Sequence, residues 1–154
     1  MIVAMQPSCA FCEIELGRIA AATVALDADV RCIVDLRQHH PGHMLVIPRR
    51  HVADLREVDE QTGAALSRML IRITRAVSAA FPNEGLSLWQ SIGPAAMQEV
   101  PHLHWHVHPR RLGDDLLRVY PEPPENQPLH VREVLAQRVR AALDPSPSRS
   151  APRP

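Results

Sequence analysis

Aromatic residues are scarce, 3% of 154 positions, so any base-stacking surface on this chain has to be small. Net charge is lacking too, since 17 basic residues meet 17 acidic ones. That balance excludes bulk electrostatic capture of duplex nucleic acid or of an anionic membrane. A small phosphate-bearing ligand needs only a local positive site and stays open. No apolar run approaches the roughly 20 residues that span a bilayer. The opening Met1-Ile2-Val3-Ala4-Met5 is too short for a signal-peptide core and has no basic flank. The expectation is a cytoplasmic protein, whose three cysteines stay reduced and point to metal or redox roles instead of disulfides.

What is present fits one α+β domain of residues 1–144. A short helix is expected from Ile14 to Ala20, with Gly17 as its weak point. Thr23 to Leu26 and Val30 to Leu36 read as strands around the turn Asp27-Ala28-Asp29. Met44 to Pro48 is apolar on both faces and is expected at the centre of a sheet. After a single turn at Asp54–Glu57, the main helix starts near Asp59, with Leu66, Met69, Leu70, Ile73, Val77 and Ala80 on one stripe. Leu86 to Ile92 reads as another strand. The prolines between Tyr120 and Pro128 predict an extended connection, and Val131, Val134, Leu135, Val139 and Leu143 predict a C-terminal helix. Residues 145–154 are Pro, Ser, Ala and Arg, and are expected to be disordered.

The run His102-Leu103-His104-Trp105-His106-Val107-His108 carries the chemistry. Side chains alternate across a strand, so the histidines share one face and Leu103, Trp105 and Val107 share the other. Successive imidazoles then stand about 7 Å apart. Two chemistries suit such a row: imidazoles holding a catalytic metal, or a neutral imidazole attacking phosphorus. Spacing alone leaves both open. Cys9-Ala10-Phe11-Cys12 is a second motif, which alone fits a redox pair, half a metal site or coincidence.

The histidine run resembles the signature of the histidine triad (HIT) family, His-φ-His-φ-His-φ-φ with φ apolar. Phe11-Cys12, Asp35, the stretch Pro41-Gly42-His43-Met44-Leu45-Val46-Ile47-Pro48, and residues Gln98 to Arg110 fall in the family's order and spacing. The resemblance implies an antiparallel sheet of about five strands with one main helix and a C-terminal helix, and a homodimer joined through that helix and an edge strand. It implies that His104 is the nucleophile that attacks the α-phosphorus and carries a nucleotidyl intermediate. His106 would contact the phosphate oxygens and His43 is another active-site histidine. Asp35 would bind the ribose hydroxyls, with Ile33 and Leu36 lining the base pocket and Gln98 touching the phosphate or leaving group. Bacterial members also imply a closed structural zinc set of Cys9, Cys12, His51 and His102, which withdraws His102 from proton chemistry. Cys32 reads as a buried core thiol.

Several positions depart from the family pattern. Met97 stands where Gly commonly precedes the glutamine, and Ser91 stands at a position usually held by Asn, which weakens a ribose or phosphate contact. Arg37-Gln38-His39-His40 replaces an Asn- and Pro-containing stretch and reads as a solvated turn, with contacts to a longer phosphate chain as the alternative. His108 occupies an apolar place and has no assigned role. The expected activity is hydrolysis of a nucleoside monophosphate linked to a leaving group, either a dinucleoside polyphosphate or a nucleoside phosphoramidate, with adenine favoured. A nucleotidyltransferase with the same intermediate, a metal-dependent hydrolase and a non-catalytic nucleotide-binding module are the competing readings.

Overall fold

The computed structural model describes residues 9–116 and 122–143. Contacts divide the chain into two units, Met1–Leu116 and Leu117–Pro154. The first holds a five-stranded sheet made of β1 (Thr23–Leu26), β2 (Val30–Val34), β3 (Met44–Pro48), β4 (Gly85–Trp89) and β5 (Trp105–Arg110). Its order is β1-β2-β3-β5-β4, and every neighbouring pair is antiparallel. The fold is α+β, with α2 (Glu60–Ala80) packed on the sheet.

Period-two alternation decides which residues reach which face. Val30 and Cys32 of β2, Met44 and Val46 of β3, and Val107 of β5 face α2 and join Leu66, Met69, Ile73 and Val77 in the main core. Each fully buried aliphatic of this kind contributes about 1.5–3 kcal/mol. The intervening residues Ile33, Leu45 and Ile47 form a second cluster with Cys9, Phe11 and Cys12 of the N-terminal segment. The same alternation puts His43, His106 and His108 on the face away from α2. Asp59 caps α2, its carboxylate accepting from the Thr62 N–H at 2.8 Å.

Several boundaries differ from expectation. The first helix, α1, runs over Ala10–Glu15 and not Ile14–Ala20, because Gly17 turns the chain at φ +72° and the helix is set earlier by Cys9. The Cys-x-x-Cys motif therefore does open a helix, though beside an antiparallel sheet. Strand β2 stops at Val34, which leaves Asp35 at the head of a turn; β4 ends at Trp89, three residues short of Ile92. The regular part of β5 begins only at Trp105, so His102 and His104 lie on its approach. In the second unit, α3 (Leu129–Leu143) forms where the C-terminal helix was expected. The predicted tail at 145–154 lies outside the described residues, as does the start of the proline-rich connection.

Candidate functional site: two histidine constellations

The first constellation gathers at the start of α1. Cys9 Sγ lies 3.3 Å from His102 Nδ1, Cys12 Sγ lies 3.3 Å from His51 Nδ1, and Cys12 Sγ to His102 Nδ1 is 3.8 Å. A tetrahedral zinc with S and N ligands at their usual lengths places those atoms about 3.6 Å apart. All four ligand atoms lie within 4.8 Å of one another. The Nε2–H of His102 donates to the Pro48 carbonyl at 2.9 Å, which leaves the Nδ1 lone pair facing the thiols. Burial holds His102 down at about 4, so its imidazole is neutral and ready as a ligand. The four donors, His102 among them, fit a closed structural metal site.

The second constellation lies farther along the same strand. His104 is buried, and its Nδ1–H donates to the His102 carbonyl at 2.7 Å. That bond fixes the tautomer and leaves a lone pair on Nε2. His43 donates from Nδ1 to the Arg37 carbonyl at 3.0 Å, so its Nε2 is an acceptor. His106 fills that acceptor, donating from Nδ1 at 2.9 Å, and keeps its own Nε2 free. Burial lowers His43, partly offset by the Arg37 carbonyl and Asp35. His106 falls further, to about 3, through burial and then the neighbouring His104 and His43. Three imidazoles thus stand orientated by their hydrogen bonds, and burial keeps His43 and His106 neutral.

Asp35 is buried at the end of β2, where its carboxylate accepts from the Arg37 N–H at 2.6 Å and faces His43 Nε2 at 3.7 Å. Ile33 is buried beneath it, whereas Leu36 stands fully exposed. Gln98 ties its loop to the segment after β3: Oε1 accepts from the Gly93 N–H at 2.9 Å and Nε2 donates to the Ala53 carbonyl at 2.8 Å. Ser91 is half-buried just beyond β4. Met97 adopts the left-handed conformation, φ 59° and ψ 36°, that the glycine of the family pattern takes freely.

Two partners escaped the sequence reading. Trp89 is paired with His106 across β4 and β5, and its indole stacks on that imidazole. The signal was an aromatic at the end of a strand, but the pairing of β4 with β5 was needed to use it. The second is an ion pair across the mouth of the site, Arg37 to Glu99, with both guanidinium nitrogens on the carboxylate at 3.2 and 2.7 Å.

Comparison with known proteins agrees with this geometry. The uncharacterized HIT-like protein Rv1262c of Mycobacterium tuberculosis (strain ATCC 25618 / H37Rv) is 35% identical over 143 residues, covering 88% of this chain and 99% of that one. The adenosine 5'-monophosphoramidase hnt1 of Schizosaccharomyces pombe is 31% identical over 103 residues, 67% of this chain and 74% of its own. A zinc-bound histidine triad family protein from Mycobacterium smegmatis superimposes with a TM-score of 0.65 at 33% identity, covering 91% and 98% of the two chains. The HIT domain model matches residues 17–113, and the chain belongs to that family.

Proposed function

We propose that this protein hydrolyses nucleoside monophosphates linked to a leaving group, through a covalent nucleotidyl intermediate on His104. The observation that carries the reading is the pinned tautomer: with Nδ1–H on the His102 carbonyl, His104 presents the Nε2 lone pair needed for attack. A bond forms from Nε2 to the α-phosphorus, the bond to the leaving group breaks, and the leaving group takes a proton from solvent water. Water then attacks the same phosphorus and releases the nucleoside monophosphate and free imidazole. An anionic phosphate beside His106 favours protonation of its free Nε2, which then donates to a phosphate oxygen. Asp35 accepts from the ribose hydroxyls, and Ile33 floors the base pocket. Gln98 supports the phosphate-side loop, and Ser91 borders it. Adenine is the favoured base, and a phosphoramidate or dinucleoside polyphosphate the favoured substrate.

The cysteine–histidine set holds zinc in this reading, and its reduced thiols suit a cytoplasmic setting. A homodimer through α2 and an edge strand is the expected assembly, with exposed Ile71 on α2 and Leu88 on the outer strand β4 as its apolar contacts.

The test compares the protein with His104→Ala on adenosine phosphoramidate and a diadenosine polyphosphate, following AMP release. Mass spectrometry after an acid-free quench looks for the nucleotidyl adduct. Turnover and adduct in the native protein, both lost in the variant, are expected. Equal turnover by the two proteins rejects the nucleophile, and AMP binding without turnover in either supports a binding module. Product on an acceptor other than water identifies a transferase.

A further inference from the structure

His39, His40 and His108 have no place in the nucleotide chemistry, and His108 fills a position that the family pattern gives to an apolar residue. His108 is distant in sequence from the adjacent pair His39-His40, yet the turn between β2 and β3 brings that pair beside it on the site face of β5. Ring centroids are 4.7 Å apart for His39–His40, 5.8 Å for His40–His108 and 6.4 Å for His39–His108.

Their hydrogen bonds are specific. His108 is 1% exposed, and its Nδ1–H donates to the Pro109 carbonyl at 2.6 Å. Its Nε2 is left with a lone pair, buried and without a hydrogen-bond partner among the described residues. His40 is tied in the same way: Nε2–H donates to Asp114 Oδ2 at 3.2 Å, and Nδ1 keeps the lone pair. Asp114 is itself held by Arg110 and by the N–H groups of Arg111 and Leu116. A histidine whose far N–H is bound to a carbonyl or carboxylate has a fixed ring and a more basic free nitrogen, which is how metal-binding histidines are prepared. His39 stands exposed at the turn, its ring edge-on to that of His40.

We propose that His39, His40 and His108 form a binding site for a divalent transition-metal ion of the zinc, nickel and copper class, separate from the cysteine-containing set. Two imidazoles on one tetrahedral ion at ordinary bond lengths have ring centroids about 5.3 Å apart. The His39–His40 and His40–His108 separations lie on either side of that value, and His39–His108 exceeds it, so the ring of His39 has to turn to bring its nitrogen to the ion. Three nitrogen donors suit these metals and not magnesium or calcium, which demand oxygen. The ion gives the orphaned His108 Nε2 its partner, in place of a buried acceptor with none. A fourth position stays open to water. Because Asp35 and His43 lie at the two ends of the same turn, the ion also fixes the walls of the nucleotide site. The proposal stands whatever reaction that site performs.

The test uses the full chain with its cysteine set already zinc-loaded. Nickel(II) is titrated by calorimetry into the native protein, His39→Ala, His40→Ala and His108→Leu, the last restoring the family's apolar type. The native protein is expected to take one equivalent, and each variant to bind at least about tenfold more weakly. X-ray absorption should show imidazole nitrogen and no sulfur around the nickel. Circular dichroism of each variant confirms its fold, and His40→Ala and His39→Ala keep the test alive if His108→Leu does not fold. Absence of the equivalent overturns the proposal. So does unchanged binding in a folded His108→Leu, which puts the ion on surface histidines alone, or sulfur ligation, which puts it in the cysteine set. Loss of the equivalent in Asp35→Asn, with retention in His39→Ala, places it in the nucleotide site and is equally fatal.

Discussion

The indole of Trp89 lies parallel to the imidazole of His106, 3° between planes and 4.2 Å between centroids, while His43 stacks on the same imidazole at 5.1 Å. His106 is thus covered on one face by its strand neighbour and hydrogen-bonded to His43 at its ring edge, with His43 and Trp89 themselves 5.6 Å apart. Such ring pairs contribute about 0.5–1.5 kcal/mol beyond area burial, and here that energy fixes the direction of a free Nε2. Trp89→Ala is expected to lower kcat/KM for an adenosine phosphoramidate by about ten- to a hundredfold, through misplacement of His106. Trp89→Phe, which keeps a stacking ring, should stay within about threefold of the native value. Steady-state kinetics on both variants, with circular dichroism to confirm folding, checks the pair. Equal losses would mean that stacking is not what matters.

Gly42 is buried at the turn that delivers His43, with φ +110°. A Cβ there would meet Phe81 Cδ2 at 2.6 Å and Pro109 Cγ at 3.0 Å. Gly42→Ala therefore combines backbone strain with overpacking, for a cost of about 1–3 kcal/mol. Urea unfolding should show the loss at unchanged m-value. Gly17→Ala is the control, because nothing lies within 4 Å of its Cβ, and only its φ of +72° penalises the change.

Most of the sheet was legible because period-two and 3.6-residue patterns report burial directly. Met44–Pro48, apolar at every position, proved to be the central strand, and the stripe Leu66, Met69, Ile73, Val77 proved to be the buried face of α2. Boundaries were less legible, since Cys9 carries no side-chain cap and nothing local announces that the helix starts there. The histidine alternation holds for His106 and His108, which lie in the regular strand, whereas His102 and His104 precede it. Whether His108 is solvated or buried depends on a turn folded over it from another part of the chain. Likewise Gln98 resembles a phosphate contact until the loop geometry shows its amide bound to Gly93 and Ala53. Pairings between distant segments, including Trp89 with His106 and Arg37 with Glu99, have no signature in any local window.

Removing the metal tests the cysteine–histidine set. A bound ion stabilises the folded state by about 4 kcal/mol when its free concentration exceeds the dissociation constant about 1,000-fold. Cys12→Ser should purify with less than one zinc in that set and melt at lower temperature. For the native protein, a strong chelator should reduce activity only as fast as near-ultraviolet circular dichroism is lost, because a metal held by four protein ligands has no open position for substrate. Abolition of turnover at once, with the fold intact, would place a metal in the chemistry and reject the nucleophilic mechanism.

Arg37 and Glu99 are both largely exposed, 74% and 66%, so their forked ion pair contributes little to stability despite its geometry. Glu99→Gln should leave the midpoint of urea unfolding almost unchanged. The pair's position matters more. Arg37 is fixed at the mouth of the site by its own backbone, with its N–H on Asp35 and its carbonyl on His43. Releasing the guanidinium from Glu99 frees a cation beside an incoming polyphosphate, whereas Arg37→Gln removes that cation. KM for a diadenosine polyphosphate should therefore fall in Glu99→Gln and rise about three- to tenfold in Arg37→Gln, with kcat little changed in each. The difference should shrink as ionic strength rises, since the charge acts through solvent. A compact phosphoramidate substrate carries less negative charge and should show a smaller effect. If both substrates respond equally and independently of salt, Arg37 acts by holding the turn and not by its charge.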